Sequence, residues 1–222
     1  MGYKNWMLVE GRNDQYVMRD LLQHHDIACT IPGRRKKEQG PDAIIIDQKQ
    51  GIEGVLDALD VILDDGDLER LAVVVDADTD LTARWKALQN IFTRFGGKDV
   101  PHSPASDGTI VTLARPHHTL KVGVWLMPDN KVPGILENFV SFLIPDADAP
   151  LWQRAKDCVD GIPEEQRHFS TLALPKAQIH TWLAWQKEPG QPFGIAITAS
   201  LDADASHAVN LVDWVKRVFD LS

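Results

Sequence analysis

The stretch Leu71–Asp80, LAVVVDADTD, decides the fold. Five apolar residues ending in three valines are what a strand buried on both faces needs, and such strands belong to parallel sheets covered by helices. The run ends on three carboxylates, Asp76, Asp78 and Asp80, spaced two apart. A strand that delivers acids to its carboxyl end places them where open α/β sheets bind ligands. Strand residues alternate sides, so Asp76 and Asp78 are expected to face one way with Ala77 turned aside. Two carboxylates on one side repel each other. A hard divalent cation between them removes that cost, and Mg²⁺ takes oxygen ligands of this kind.

Working outward, the chain alternates short apolar runs with amphipathic stretches. WMLVEG (6–11) reads as a strand, and Asn13 to His25 as a helix with Val17, Met18, Leu21 and Leu22 on one face. AIIID (43–47) is a second strand, and IEGVLDALDVIL (52–63) a second helix with Val55, Leu59, Ile62 and Leu63 inward. After the strand that carries Asp76 comes the helix LTARWKALQNIFTRF (81–95), closed by Gly96 and Gly97. This β-α-β-α-β-α order predicts an α/β fold with a mostly parallel central sheet and helices on both faces. TIVTLAR (109–115) and KVGVWLM (121–127) read as two further strands, followed by a helix in GILENFVSFLI (134–144). The remainder is expected to be helical at Leu151–Val159, Lys176–Gln186 and Ser206–Phe219, with FGIAI (193–197) as an edge strand. We therefore divide the chain into an α/β core, 1–145, and a helical C-terminal extension packed on it, 146–222.

The first strand offers a second acidic pair. Glu10 ends the apolar run, Gly11 makes the turn, and Asp14 falls in the first turn of the helix, where a carboxylate can face back across the strand end. Glu10, Asp14, Asp76 and Asp78 are expected to converge on one cleft. Asp-Ala-Asp recurs at Asp146/Asp148, between Pro145 and Pro150, and at Asp202/Asp204, before a helix. Both copies read as solvated turns and N-caps away from the cleft.

LVEGRNDQYVMRDLL (8–22) followed by LAVVVDADTD resembles the two signature segments of the Toprim domain: a glutamate after the first strand and an Asp-x-Asp after the third. It is most similar to the small stand-alone Toprim proteins related to the overcoming-lysogenization-defect nucleases. VGVWLMPDNKVPGILENF (122–139) also resembles that group, and the resemblance spans Trp6 to Phe139; LPKAQIHTWLAWQ (174–186) with PGQPFGIAI (189–197) is similar to its tail. The resemblance implies a Toprim-like core and metal-binding roles for Glu10, Asp14, Asp76 and Asp78, with Asp80, Asp129 or Glu137 serving a second metal. It implies a catalytic role for Lys176 near the scissile phosphate, and one or two Mg²⁺ or Mn²⁺ ions. The implied activity is metal-dependent phosphodiester cleavage, of DNA in preference to RNA, as the effector subunit of a defence-like system. With only Tyr3 and Tyr16 present, topoisomerase strand passage is not expected.

Composition bears on partners. A formal net charge of −9 over 222 residues argues against a broad nucleic-acid surface. A metal site that gathers carboxylates accounts for part of it. Positive charge is local: Arg34, Arg35, Lys36 and Lys37 form one run in GRRKKEQG, and Arg12 lies in the first strand-to-helix turn, so these are the expected nucleic-acid contacts. No Gly-x-x-x-x-Gly-Lys-Ser/Thr loop occurs, so an ATPase, where one is needed, is a separate partner chain. A homo-oligomer is compatible with the sequence. The cysteines, Cys29 and Cys158, form no CxxC, which fits a reducing cytoplasm, and neither a signal-peptide pattern nor a membrane-spanning run is read. The histidine pairs 24–25 and 117–118 are not read as zinc ligands, because adjacent side chains diverge on a helix or strand. Two rival readings stand beside the nuclease: a non-catalytic, partner-binding Toprim subunit, and a haloacid-dehalogenase-like phosphatase with Asp76 as nucleophile.

Overall fold

A computed structural model describes residues 4–33, 42–64, 68–115 and 118–222. Its strands are β1 (Asn5–Val9), β2 (Cys29–Thr30), β3 (Ile44–Gln48), β4 (Arg70–Asp76), β5 (Thr109–Ala114) and β6 (Thr119–Met127). They form one sheet in the order β2-β3-β1-β4-β6-β5. Every neighbouring pair is parallel except β5 with β6, which close an antiparallel edge. The helices are α1 (Arg12–His24), α2 (Ile52–Ile62), α3 (Leu81–Arg94), α4 (Leu136–Ser141), α5 (Ala149–Asp160), α6 (Leu174–Leu183), α7 (Phe193–Ala199) and α8 (Ser206–Phe219). The chain is thus an α/β protein with a mostly parallel sheet and helices on both faces. Among the described residues no helix is long and apolar enough to cross a membrane.

The apolar run of β4 divides residue by residue between two cores. Leu71, Val73 and Val75 join the cluster under α2 and α3, with Val55, Leu59, Trp85, Leu88 and Phe92. Ala72 and Val74 join the opposite cluster with Val17, Met18, Leu21 and Leu22 of α1. β1 and β6 alternate the same way: Met7, Val9, Trp125 and Met127 lie on the α1 face, and Leu8, Val124 and Leu126 on the α3 face. The chain leaves β1 toward one face and β4 toward the other, although the two strands are neighbours in register, Val9 beside Val74. The crevice beyond their carboxyl ends is therefore the switch point of the sheet.

Residues after 145 do not build a core of their own. Trp182, Phe193, Trp214, Val215 and Phe219 are buried in the same cluster as Met7 and Val74. FGIAI is a correction to the reading above: it is α7, packed on α1, and not an edge strand. Its short apolar run suits either state, and tertiary packing chooses. Gly194 lets α7 approach, since a Cβ there would fall 2.3 Å from Asp20 Oδ2 and 3.2 Å from the Tyr16 carbonyl oxygen. The strand β2, two residues long, is too short to show a period in the sequence.

Gly123 has a similar duty within β6, where α8 crosses the sheet. A Cβ there would lie 2.2 Å from Val218 Cγ2 and 3.0 Å from the Trp214 ring. Gly123→Val is therefore expected to destabilise the fold by about 1–3 kcal/mol through overpacking. Urea unfolding checks this: the midpoint should fall with the slope unchanged, and an unshifted midpoint would show that α8 can move aside freely.

Candidate functional site

The carboxyl ends of β1 and β4 bring Glu10 and Asp76 together. The Asp76 backbone N–H donates to Glu10 Oε1 at 2.8 Å, so the glutamate closes the end of its neighbouring strand. Asp76 Oδ1 in turn accepts from the Leu136 N–H, 2.8 Å away at the start of α4. α1 supplies Asp14 from its first turn, 7 % exposed, and its Oδ1 is buried without a hydrogen-bond partner. α4 supplies Glu137, 4 % exposed, and α6 supplies Lys176, whose Nζ lies 3.1 Å from Glu137 Oε1. Gly11, Arg12, Asn13, Asp14, Asp76, Leu136, Glu137 and Lys176 line one cleft.

Burial and like charge control the ionisation of this group. Desolvation, reinforced by Asp14, Glu10 and Glu137, raises Asp76 to about 9. Desolvation also raises Asp14 to about 7, with Glu10 and Glu137 adding to it. Glu10 is raised by burial as well, offset in part by the Asp76 N–H and the nearby Arg84. Near neutral pH the cleft therefore holds protons, and binding of any cation by these carboxylates would have to release them.

The turn ahead of α4 places two of these contacts. Asn130, at φ 62, accepts from the Leu126 N–H through Oδ1 at 2.7 Å, which folds Met127–Gly134 back over the end of β4. The Gly134 carbonyl then accepts from the Asp78 N–H at 2.9 Å. Strand alternation does not extend to Asp78. β4 ends at Asp76, and Asp78 adopts φ 51, so its placement follows from this bridge and not from strand alternation. Asp78 lines an adjoining hollow with Asp76, Ile135, Glu137, Ser170, Leu172, Ala173 and Lys176. Its Oδ2 is ion-paired with Arg84, whose Nε also donates to the Asp76 carbonyl at 2.9 Å.

The structure thus gathers Glu10, Asp14, Asp76, Glu137 and Lys176, with Asp78 next door and Arg12 on the rim. It does not gather Asp80 or Asp129. Asp80 caps α3, accepting from the Ala83 N–H at 2.9 Å, and Asp129 Oδ1 accepts from the Lys131 and Val132 N–H groups at 3.0 and 3.1 Å. Both are corrections to the second-metal set, since each carboxylate closes a local turn and neither lines the cleft or the hollow. Arg34, Arg35, Lys36 and Lys37 fall outside the described residues. Arg84 was missed; the available signal was a basic residue one turn into the helix that directly follows Asp-x-Asp.

The other Asp-Ala-Asp copies do not line the cleft. Asp146–Asp148 form a 3₁₀ turn leading into α5. Asp204 is not the N-cap it was read as: Ala205 holds that position, and Asp204 faces His24 Nε2, 3.3 Å from both its carboxylate oxygens. His24, His25 and Asp204 are the described group that brings three potential ligand atoms within 4.8 Å of one another. Among the described residues, no three of the cleft's carboxylates bring oxygens that close together.

Compared with known proteins, residues 4–220 match a family model described as "Protein of unknown function (DUF3226)", and the chain belongs to that family. No curated protein and no solved structure matches it.

Because the raised Asp76 favours the protonated folded state, its contribution to stability is full below the ordinary carboxylate value of about 4 and is lost as pH rises toward about 9. In chelator, Asp76→Asn should therefore unfold at a higher temperature than wild type at pH 8, by at least about 1 kcal/mol. The difference should shrink toward pH 5. Equal melting temperatures at both pH values would show that Asp76 is charged and solvated in the folded protein.

Proposed function

We propose that this chain is a Toprim-type, metal-dependent nuclease that cleaves phosphodiester bonds, in DNA rather than RNA. The observation that carries the reading is the buried carboxylate group at the switch point, above all Asp14, whose buried Oδ1 has no hydrogen-bond partner and whose carboxyl, like that of Asp76, is raised by burial and by neighbouring Glu10 and Glu137. An acceptor-only oxygen buried without a donor is costly unless a proton or a cation satisfies it. That donor set, all hard oxygen, fits Mg²⁺ or Mn²⁺. Glu10, Asp14, Asp76 and Glu137 would hold the ion once their side chains close in, since no three of their oxygens lie within 4.8 Å of one another as they stand. Bound there, a divalent cation would supply an acidified water near neutral pH and positive charge for the leaving oxygen.

The chain's own residues account for the remainder. Leu136 N–H and the Asp76 N–H fix the Asp76 and Glu10 carboxyl groups by hydrogen bonds of 2.8 Å each, so both are held in place before substrate arrives. Lys176, half exposed beside Glu137, is placed to meet a phosphate oxygen at the mouth of the cleft. Arg12 lines the same mouth and offers a second cation. Arg84 holds Asp78 by an ion pair, which disfavours the phosphatase reading, where the second aspartate must be free to carry a proton. The partner-binding reading retains the same fold without turnover, and the experiment below separates the two.

With Mg²⁺ or Mn²⁺ the protein should nick plasmid DNA slowly, since its net charge of −9 opposes encounter with a polyanion. A partner ATPase that aligns the strand should raise the rate. Asp76→Asn and Glu10→Gln should each lower cleavage by at least about 100-fold, and Lys176→Ala by about 10²–10³-fold through kcat. RNA should be cut less well than DNA. Metal bound without cleavage under any salt or partner condition would assign the chain to the partner-binding class.

Metal uptake also has a predicted pH dependence. Cation binding must displace protons from Asp76, raised to about 9, and from Asp14, raised to about 7. Apparent Mn²⁺ affinity should therefore climb from pH 6 to pH 9, with protons released on titration in weak buffer. A flat profile with no proton release would place the ion elsewhere.

A further inference from the structure

We propose that His24, His25 and Asp204 form a transition-metal site of the Zn²⁺ class, which joins the end of α1 to the loop entering α8. One ring nitrogen of each histidine and one carboxylate oxygen already lie within 4.8 Å of one another. The two imidazoles meet edge to face, with centroids 5.0 Å apart and planes at 82°, so their nitrogens converge from different directions. Their divergence on a regular helix is relieved here because α1 ends at His24 and His25 is its C-cap.

Two local contacts favour a metal over a simple hydrogen bond. His24 Nε2 sits 3.3 Å from both Asp204 oxygens, longer than an ordinary N–H···O contact. The same separation matches the edge of a tetrahedron of ligands at about 2.0–2.1 Å from a zinc ion, which is about 3.3 Å. His25 Nε2 is paired with the Ala203 carbonyl at 3.0 Å. That bond puts the proton on Nε2 and leaves the Nδ1 lone pair as the ligand, the arrangement by which ligating histidines are commonly oriented from behind. Asp204 is itself held, its N–H donating to Asp202 Oδ1 at 3.0 Å.

Two neutral nitrogens and one carboxylate select zinc-class ions over Mg²⁺, which prefers an all-oxygen shell. Three protein ligands leave the fourth position to water, and Asp204 is well exposed, so the site stays open to solvent. The bond it makes is a cross-link. α1 carries Asp14 at its other end, and the Leu201–Ala205 loop leads into α8, whose Trp214 and Phe219 complete the shared core. This site is chemically independent of the carboxylate cleft and does not rest on the nuclease reading.

The test is Zn²⁺ titration of the full chain, on an Asp76→Asn background so that the cleft contributes little, with millimolar Mg²⁺ present. One equivalent should bind, and Co²⁺ in its place should give the visible absorption of a four-coordinate site. His24→Gln and Asp204→Asn should each weaken Zn²⁺ binding at least about tenfold. In the unaltered protein, ¹⁵N resonances of both His24 and His25 should shift on Zn²⁺ addition, with His25 responding at Nδ1, which guards against a misfolded variant. Binding that is absent, or that survives both substitutions with His24 and His25 resonances unmoved, overturns the proposal.

Discussion

The constraint on which the molecule turns is that β1 and β4 are buried on both faces yet end side by side in carboxylates. Apolar packing under α1 on one face and under α3 on the other fixes where those strand ends lie. Once they are fixed, Glu10 and Asp76 cannot move away from each other, and Asp14 and Glu137 are brought in by helices that must cover the same core. The fold therefore concentrates negative charge in a place with little water. Asp76 and Asp14 are raised by desolvation first and by their neighbours second, so protons relieve part of that charge. Under the proposed reading, a cation would take the place of those protons.

The supporting residues follow from the same geometry. The Met127–Gly134 turn must reverse the chain over the end of β4, and Asn130 takes a left-handed conformation to do it. The turn supplies two contacts at the strand end: Leu136 N–H on Asp76, and the Gly134 carbonyl on the Asp78 N–H. Arg84 and Lys176 balance part of the charge from opposite sides, Arg84 through Asp78 and Lys176 through Glu137. At the far end of α1, His24, His25 and Asp204 bring nitrogen and oxygen atoms together at the surface, and the proposal there is for a different class of metal.

Much of this was legible in the chain. The β-α-β-α-β-α order, the double-faced burial of Leu71–Val75 and the helix at Ser206–Phe219 follow from hydrophobic period alone, because burial on a helix or strand imposes 3.6 or 2 as a repeat. So does the placing of Asp76, unlike Asp146 and Asp202, at the end of a buried strand. Tertiary structure decided what period does not encode. FGIAI became a helix because α1 offers a surface against which Gly194 can pack closely. Asp80 and Asp129 were drawn off to local N–H groups, and Asp78 to Arg84, since an acid takes the nearest fixed donor. Asp204 met His24 across 180 residues of chain, a separation no local pattern can span. Sequence determines which segments must be covered; the way they cover one another determines which of the remaining polar groups meet.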